Sequence, residues 1–126
     1  MRKQYYFLPS DRGYHAWDVD RLIELARDFP VISVKLSDIS ELDENFWYQG
    51  ENDLPTVRSM VEHFRLVQDT GLEYPIILSA KGRVMDGMHR VAKALMLGHD
   101  KISARRFDTD PPPDFTDVYP DGLKYD

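Results

Sequence analysis

The five residues Asp86-Gly87-Met88-His89-Arg90 bring a carboxylate, a position without a side chain, an imidazole and a guanidinium into one bend of the chain. Val84 and Met85 before them suit a strand, and the apolar spacing after them is helical, so the bend should sit where a strand ends and a helix begins. The first N–H groups of a helix have no internal partner and carry partial positive charge. Gly87 removes the Cβ that would hold an anion away from the backbone. Arg90 adds a planar donor fork suited to phosphate or carboxylate, and His89 a donor whose charge depends on pH. The arrangement predicts an anion-binding turn made of Gly87, Met88, His89 and Arg90. Asp86 and His89 are its candidate catalytic groups. The same residues also read as a plain turn with His89 and Arg90 on a solvated first turn, and Asp86 reads equally well as a helix cap. A helix terminus contributes at most about 2 kcal/mol and a charge-assisted bond from arginine about 1.5–3 kcal/mol, which together support only sub-millimolar binding. Useful affinity needs further phosphates, a metal, or a pocket for the rest of the ligand.

Secondary candidates lie upstream. His63 is a possible second imidazole, or a helix-flank histidine bonded to the 37–50 loop, and Thr56 shares its flank. Trp47, within Phe46-Trp47-Tyr48, either anchors that polar loop to the core or lines a ligand pocket. Glu44, Glu51, Asp53 and Glu62 are remoter carboxylates for a general base or a metal.

The elements expected to position these groups alternate in type. A short strand over 5–8 is stopped by Pro9, and a turn follows at 10–13. Asp18 caps a helix whose apolar face is Val19, Leu22, Ile23 and Ala26, ended by Pro30. Residues 31–36 read as a strand, and 37–50 as a loop with at most a helical turn. A helix over 55–68 buries Val57, Met60, Val61, Phe64 and Val67 and shows an ion-pair face of Arg58, Glu62 and Arg65. Residues 76–86 form a hairpin around Lys81-Gly82. A helix over 88–97 buries Val91, Ala92 and Leu95 and exits at Gly98. A last strand over 101–107 turns Ile102 and Ala104 to one side. Three prolines at 111–113 then exclude regular structure, leaving 108–126 as an extended or disordered acidic tail. The expected organisation is one domain over 1–107 plus that tail.

With 126 residues the chain can bury one core. No apolar run is long enough to span a bilayer, and no secretory signal is evident at the N-terminus. The absence of cysteine excludes disulfides, thiolate metal sites and thiol chemistry and suits the reducing cytoplasm. The net charge of −6 argues against stable nucleic-acid binding. The charge is uneven, though. Between positions 81 and 106 seven lysines and arginines face only Asp86 and Asp100, so a local anion site within an acidic protein is reasonable.

Several stretches, taken in order, resemble the ParB/sulfiredoxin superfamily: Pro75-Ile76-Ile77-Leu78, Lys81-Gly82-Arg83, Asp86-Gly87-Met88-His89-Arg90 and Leu97-Gly98, with Val31 to Ile39 similar to that family's first core strand. The likeness covers about half the chain. It implies an α+β fold with a small mixed sheet and about three helices, in which the turn from Gly87 to Arg90 cradles nucleotide phosphates, ATP or CTP with Mg2+. The implied activity is phosphotransfer or nucleotide hydrolysis. A non-enzymatic regulatory or partner-binding module and a ParB-like nuclease or DNA-binding domain are the alternatives. Sulfiredoxins carry a cysteine where this chain has Met88, so their sulfinic-acid reductase chemistry is excluded. ParB proteins continue into a DNA-reading domain, and this chain continues instead into the acidic segment after Phe107.

Overall fold

The computed structural model describes residues 3–50 and 53–126. Their fold is α+β, with seven strands in two sheets and three α-helices. The larger sheet has the order β3(Ile32–Lys35)-β6(Lys101–Arg106)-β4(Ile76–Leu78)-β5(Val84–Asp86). Here β4 runs parallel to β6, while β3–β6 and β4–β5 are antiparallel. The parallel pair requires a crossover, which β5 and α3(Met88–Met96) supply.

Strand periodicity explains how this sheet is covered on both faces. Ile76, Leu78 and Val84 pack into one cluster with Met88, Val91 and Ala94 of α3. Ile77 and Met85, the intervening residues, pack on the other side with Trp17, Phe107, and Leu22 and Ala26 of α1(Val19–Ala26). All three residues of β4 are therefore buried, as the continuous apolar run 76–78 requires. Ile102 and Ala104 are both buried, as their alternate spacing predicts.

The second sheet, β1(Tyr5–Ser10)-β2(Gly13–Asp18)-β7(Phe115–Val118), departs most from expectation. Pro9 does not stop β1: it continues opposite Tyr14, on an edge strand where a missing N–H costs little. The turn at 10–13 is the bend of a hairpin, and β2 was not foreseen. The segment after Phe107 is not a detached tail either. Its β7 pairs antiparallel with β2, Trp17 Nε1 donates to Pro111 O at 2.8 Å, and Asp114 binds both the Asp18 backbone N–H and Arg21 at 2.8 Å. An added Cβ at Gly13 would stand 2.7 Å from Val118 O, so glycine is what lets β7 approach so closely.

The helices correct three further expectations. Asp18 does cap α1, accepting from Asp20 N, but the helix ends at Ala26, well short of Pro30, and Ile23 is exposed. In α3 the buried residues are Met88, Val91 and Ala94; Leu95 is exposed and Ala92 only half-buried. In α2(Val57–Asp69) only Val67 is buried, and Val57, Met60, Val61 and Phe64 face out. Among the described residues Arg58, Glu62 and Arg65 form no salt bridge, so the ion-pair face is a row of exposed charges. Residues 37–50 begin as two short 3-10 turns, Leu36–Asp38 and Ser40–Asp43.

Candidate functional site at the Gly87 turn

Gly87 stands between β5 and α3 at φ 105°, ψ 22°, a left-handed conformation that favours glycine. Any Cβ there would lie 2.6 Å from Ile76 Cγ2 and 2.7 Å from an Arg90 guanidinium nitrogen. As the N-cap residue of α3, glycine has no side chain to accept from the first-turn amides, and Asp86 does not reach back to do so. The cap reading of Asp86 is therefore replaced: its Oδ2 pairs with Arg90 at 3.1 Å, one helical turn on.

Arg90 does not extend into solvent. Its guanidinium folds back over Gly87, with the side chain 17% exposed, and also donates to Pro75 O at 3.5 Å. Its Nε is buried without a hydrogen-bond partner, which in a cationic group is costly. The bend thus gathers uncapped first-turn amides and an unsatisfied guanidinium N–H in one place. The same guanidinium occupies the space directly over Gly87, so an anion must share it or displace Asp86 from it.

Beside the turn lies a pair the sequence did not connect. His63 of α2 and His89 of α3 approach through Nδ1 and Nε2 at 2.9 Å. Their rings are nearly coplanar, at 19°, and the indole of Trp47 stacks on both, with centroids 4.5 Å from His63 and 5.0 Å from His89. Burial, with the neighbouring His63 adding to it, lowers the His89 pKa from 6.5 to about 4. Burial also lowers that of His63, against the opposing pull of Asp53 and Glu62. Both rings are therefore neutral near pH 7, so one of the facing nitrogens donates its N–H to the other. When such a pair takes a proton at one outer nitrogen it can release one at the other, which makes it a relay.

The loop that carries Trp47 is held by two acid groups, Glu41 and Glu44. Glu41 is 2% exposed and accepts from Val84 N at 2.5 Å, covering a backbone donor of the edge strand β5. Arg83 clamps Glu44 through two 2.8 Å bonds and reaches Ser40 at 3.1 Å. That pairing holds the Glu44 carboxylate below its usual range. Asn45 exchanges bonds with the Tyr48 backbone, and Tyr48 stands edge-on to His63. Trp47 so serves in both roles considered for it: it packs against the core, and it lines an apolar groove of about 400 Å3 with Leu42, Phe46, Met88, Ala92 and Leu95.

Of the candidates, the structure brings Asp86, Gly87, Met88, His89, Arg90, His63 and Trp47 together. Thr56 is apart from them in role: its hydroxyl caps α2, accepting from Ser59 N at 3.1 Å. Glu44 is occupied by Arg83, and Glu51 lies outside the described residues. Among the described residues no group of three or more His, Asp or Glu side chains could hold a metal ion. No helix among them is long and apolar enough to cross a membrane. Glu41 and Tyr48 were missed; an acidic residue carries no mark in sequence that it will be buried, and Tyr48 was read only as one of three aromatics. Comparison with family models, with curated proteins and with solved structures found no match to this chain.

Proposed function

We propose that this chain is a ParB/sulfiredoxin-like domain that binds the phosphates of a nucleotide over the Gly87 turn, and that it uses them in phosphoryl transfer or hydrolysis. The observation that carries the reading is the buried, unpartnered Nε of Arg90 beside first-turn amides that no side chain caps. Both are donors in want of an acceptor, and a phosphate oxygen is the acceptor that fits both. Met88, His89 and Arg90 would offer backbone N–H groups, and the Arg90 fork would offset charge.

Mg2+ belongs to the proposal because the turn holds a carboxylate, Asp86, beside the Arg90 guanidinium. Magnesium is commonly held by one or two carboxylates together with substrate phosphates. A metal that took Asp86 would release the guanidinium to the phosphates. The neutral His63–His89 pair would carry the proton that the acceptor hydroxyl or water gives up, since phosphoryl transfer otherwise depends on positioning and charge. Trp47 and Met88 border both the site and the apolar groove, which gives the base of ATP or CTP a place to lie. A cytoplasmic location accompanies this reading.

Calorimetry with ATP and CTP, with and without Mg2+, tests it. The wild-type chain should bind at least one of them, and Arg90→Ala should abolish the heat. A folded wild-type protein that binds neither nucleotide under any of these conditions overturns the proposal. Binding without turnover would select the regulatory-module reading. The nuclease reading predicts cleavage of DNA at low salt with Mg2+, which the net charge of −6 disfavours.

A further inference from the structure

The two imidazoles beside the Gly87 turn are not equivalent. His89 is the second residue of α3, so its ring hangs from the same first turn whose amides no side chain caps. Its Nε2 faces His63 Nδ1 at 2.9 Å, and its Nδ1 makes no hydrogen bond among the described residues. Nδ1 is also the ring nitrogen nearer the His89 backbone N–H, from which only Cα, Cβ and Cγ separate it. First-turn amides carry partial positive charge, which favours a lone pair on the nitrogen closest to them. The His89 proton therefore belongs on Nε2, donated to His63, and Nδ1 is left with its lone pair.

The surroundings of the rings differ in the same sense. Asp53 and Glu62 act on His63 and favour its charged form, and among the described residues no carboxylate acts so on His89. A proton that crosses the hydrogen bond is held better on His63. Trp47, within 16° of both ring planes, keeps the imidazoles in line for that transfer, and Tyr48 stands edge-on to His63. A neutral nucleophile, a base at hydrogen-bond distance from its proton and a group that fixes the base are the parts nucleophilic catalysis requires.

We propose that His89 Nδ1 accepts a phosphoryl group, so that the chain works through a phosphohistidine; this rests on the nucleotide-binding reading above. A phosphate held by the His89 backbone N–H lies within reach of the Nδ1 of the same residue. The Nδ1 lone pair bonds to the terminal phosphorus of a nucleoside triphosphate. The bond from that phosphorus to the bridging oxygen breaks, and nucleoside diphosphate leaves. As the N–P bond forms, the Nε2 proton passes to His63 Nδ1, so the positive charge settles on His63. In the second half an acceptor hydroxyl or water bonds to phosphorus and the N–P bond breaks. His63 then returns its proton to His89 Nε2, and the acceptor's own proton leaves to solvent. Proton carriage by the pair thus serves the nucleophile in place of the acceptor.

Rapid-quench labelling of the full chain with terminally radiolabelled ATP or CTP and Mg2+, run beside calorimetry, is the test. The expected label is stable to alkali, labile to acid and mapped to His89 by tandem mass spectrometry. Without an acceptor the chain should also exchange labelled nucleoside diphosphate into triphosphate, which detects an intermediate too short-lived to accumulate. His89→Gln keeps a polar group facing His63 but has no atom in place of Nδ1. It should take no label and catalyse no exchange at nucleotide concentrations that calorimetry shows to be saturating. His63→Gln can accept the hydrogen bond but not the proton, and should slow labelling roughly 100-fold or more at saturating nucleotide with little change in the dissociation constant. A wild-type chain that binds nucleotide yet shows neither label nor exchange overturns the phosphohistidine and leaves the binding reading standing. Label that persists in His89→Gln overturns it as well. A chain that binds no nucleotide overturns both.

Discussion

Helix α3 sets Met88, Val91 and Ala94 against the four-stranded sheet, each less than a tenth exposed, whereas α2 buries Val67 alone and shows five apolar side chains, Val57, Met60, Val61, Phe64 and Leu66, to solvent. Both helices are strongly amphipathic in sequence. They differ in what stands next to them. A crossover that starts from β5 and must return to β6 forces α3 to lie on the sheet. No such constraint acts on α2. Its contacts with α3 are made along the flank that carries His63, while Lys93 of α3 reaches the carbonyls of Gln68 and Thr70 at its end. An amphipathic pattern therefore shows that a helix has an apolar face, without showing that its own chain will cover it.

The sharpest way to break this comparison is to place one charge on each helix. Val91→Asp puts a carboxylate at a fully buried position and should cost about 3–5 kcal/mol, enough to unfold a marginal domain. Val61→Asp on α2 should change the stability of the monomer by less than about 0.5 kcal/mol. Denaturant titration of the two variants checks both outcomes; equal losses would show that α2 is buried after all.

The junction between sheet and α3 gives the next largest effect. Gly87→Ala adds a Cβ in a left-handed conformation and 2.6 Å from a methyl of the fully buried Ile76. It should lower stability by about 2–3 kcal/mol and disturb the Arg90 position above it, both measurable by thermal unfolding and nucleotide titration.

The imidazole pair where the two helices meet predicts a pH dependence. The folded His89 pKa of about 4 lies below its ordinary 6.5, so the unfolded chain binds the proton more readily between those values. The stability this group contributes is complete above about pH 6.5 and is lost as the pH falls toward 4. His63, shifted in the same direction, adds to the slope. The loss should amount to roughly 1–2 kcal/mol once solvent screening of the half-buried ring is allowed for. Urea titrations across that window should show it, and His89→Gln should flatten the curve.

The smallest effect belongs to the start of α2. Thr56→Ala removes the hydroxyl that caps Ser59 N and should cost about 1 kcal/mol, without the loss of nucleotide binding expected at Arg90. A nucleotide effect from Thr56→Ala as large as that from Arg90→Ala would place Thr56 in the site itself.

Local signals carried much of this molecule. The strand at 76–78, the hairpin to Asp86, the glycine bend, the helix after it and the strand over 101–106 are written in period-two and period-3.6 spacing and in turn residues. These are interactions among near neighbours, so a linear chain displays them. The candidate turn was legible for the same reason, since its donors all lie within five residues.

What neighbours along the chain cannot determine was settled only by packing. That the β1–β2 hairpin would gain a third strand depended on β7, about a hundred residues away and beyond three prolines, which supplies the second ladder of β2. The hydrogen bond between His63 and His89 depends on how α2 meets α3, and no spacing 26 residues long encodes it. The resting place of Arg90 was likewise open in sequence: a flexible side chain with a free choice of acceptor took the carboxylate one turn back, where burial over Gly87 withdraws most of it from water. The sequence by itself determined which segments are strands and helices around the turn, since those follow from local spacing. The tertiary structure decided which apolar face was covered and which polar groups met, since both are set by long-range competition for partners.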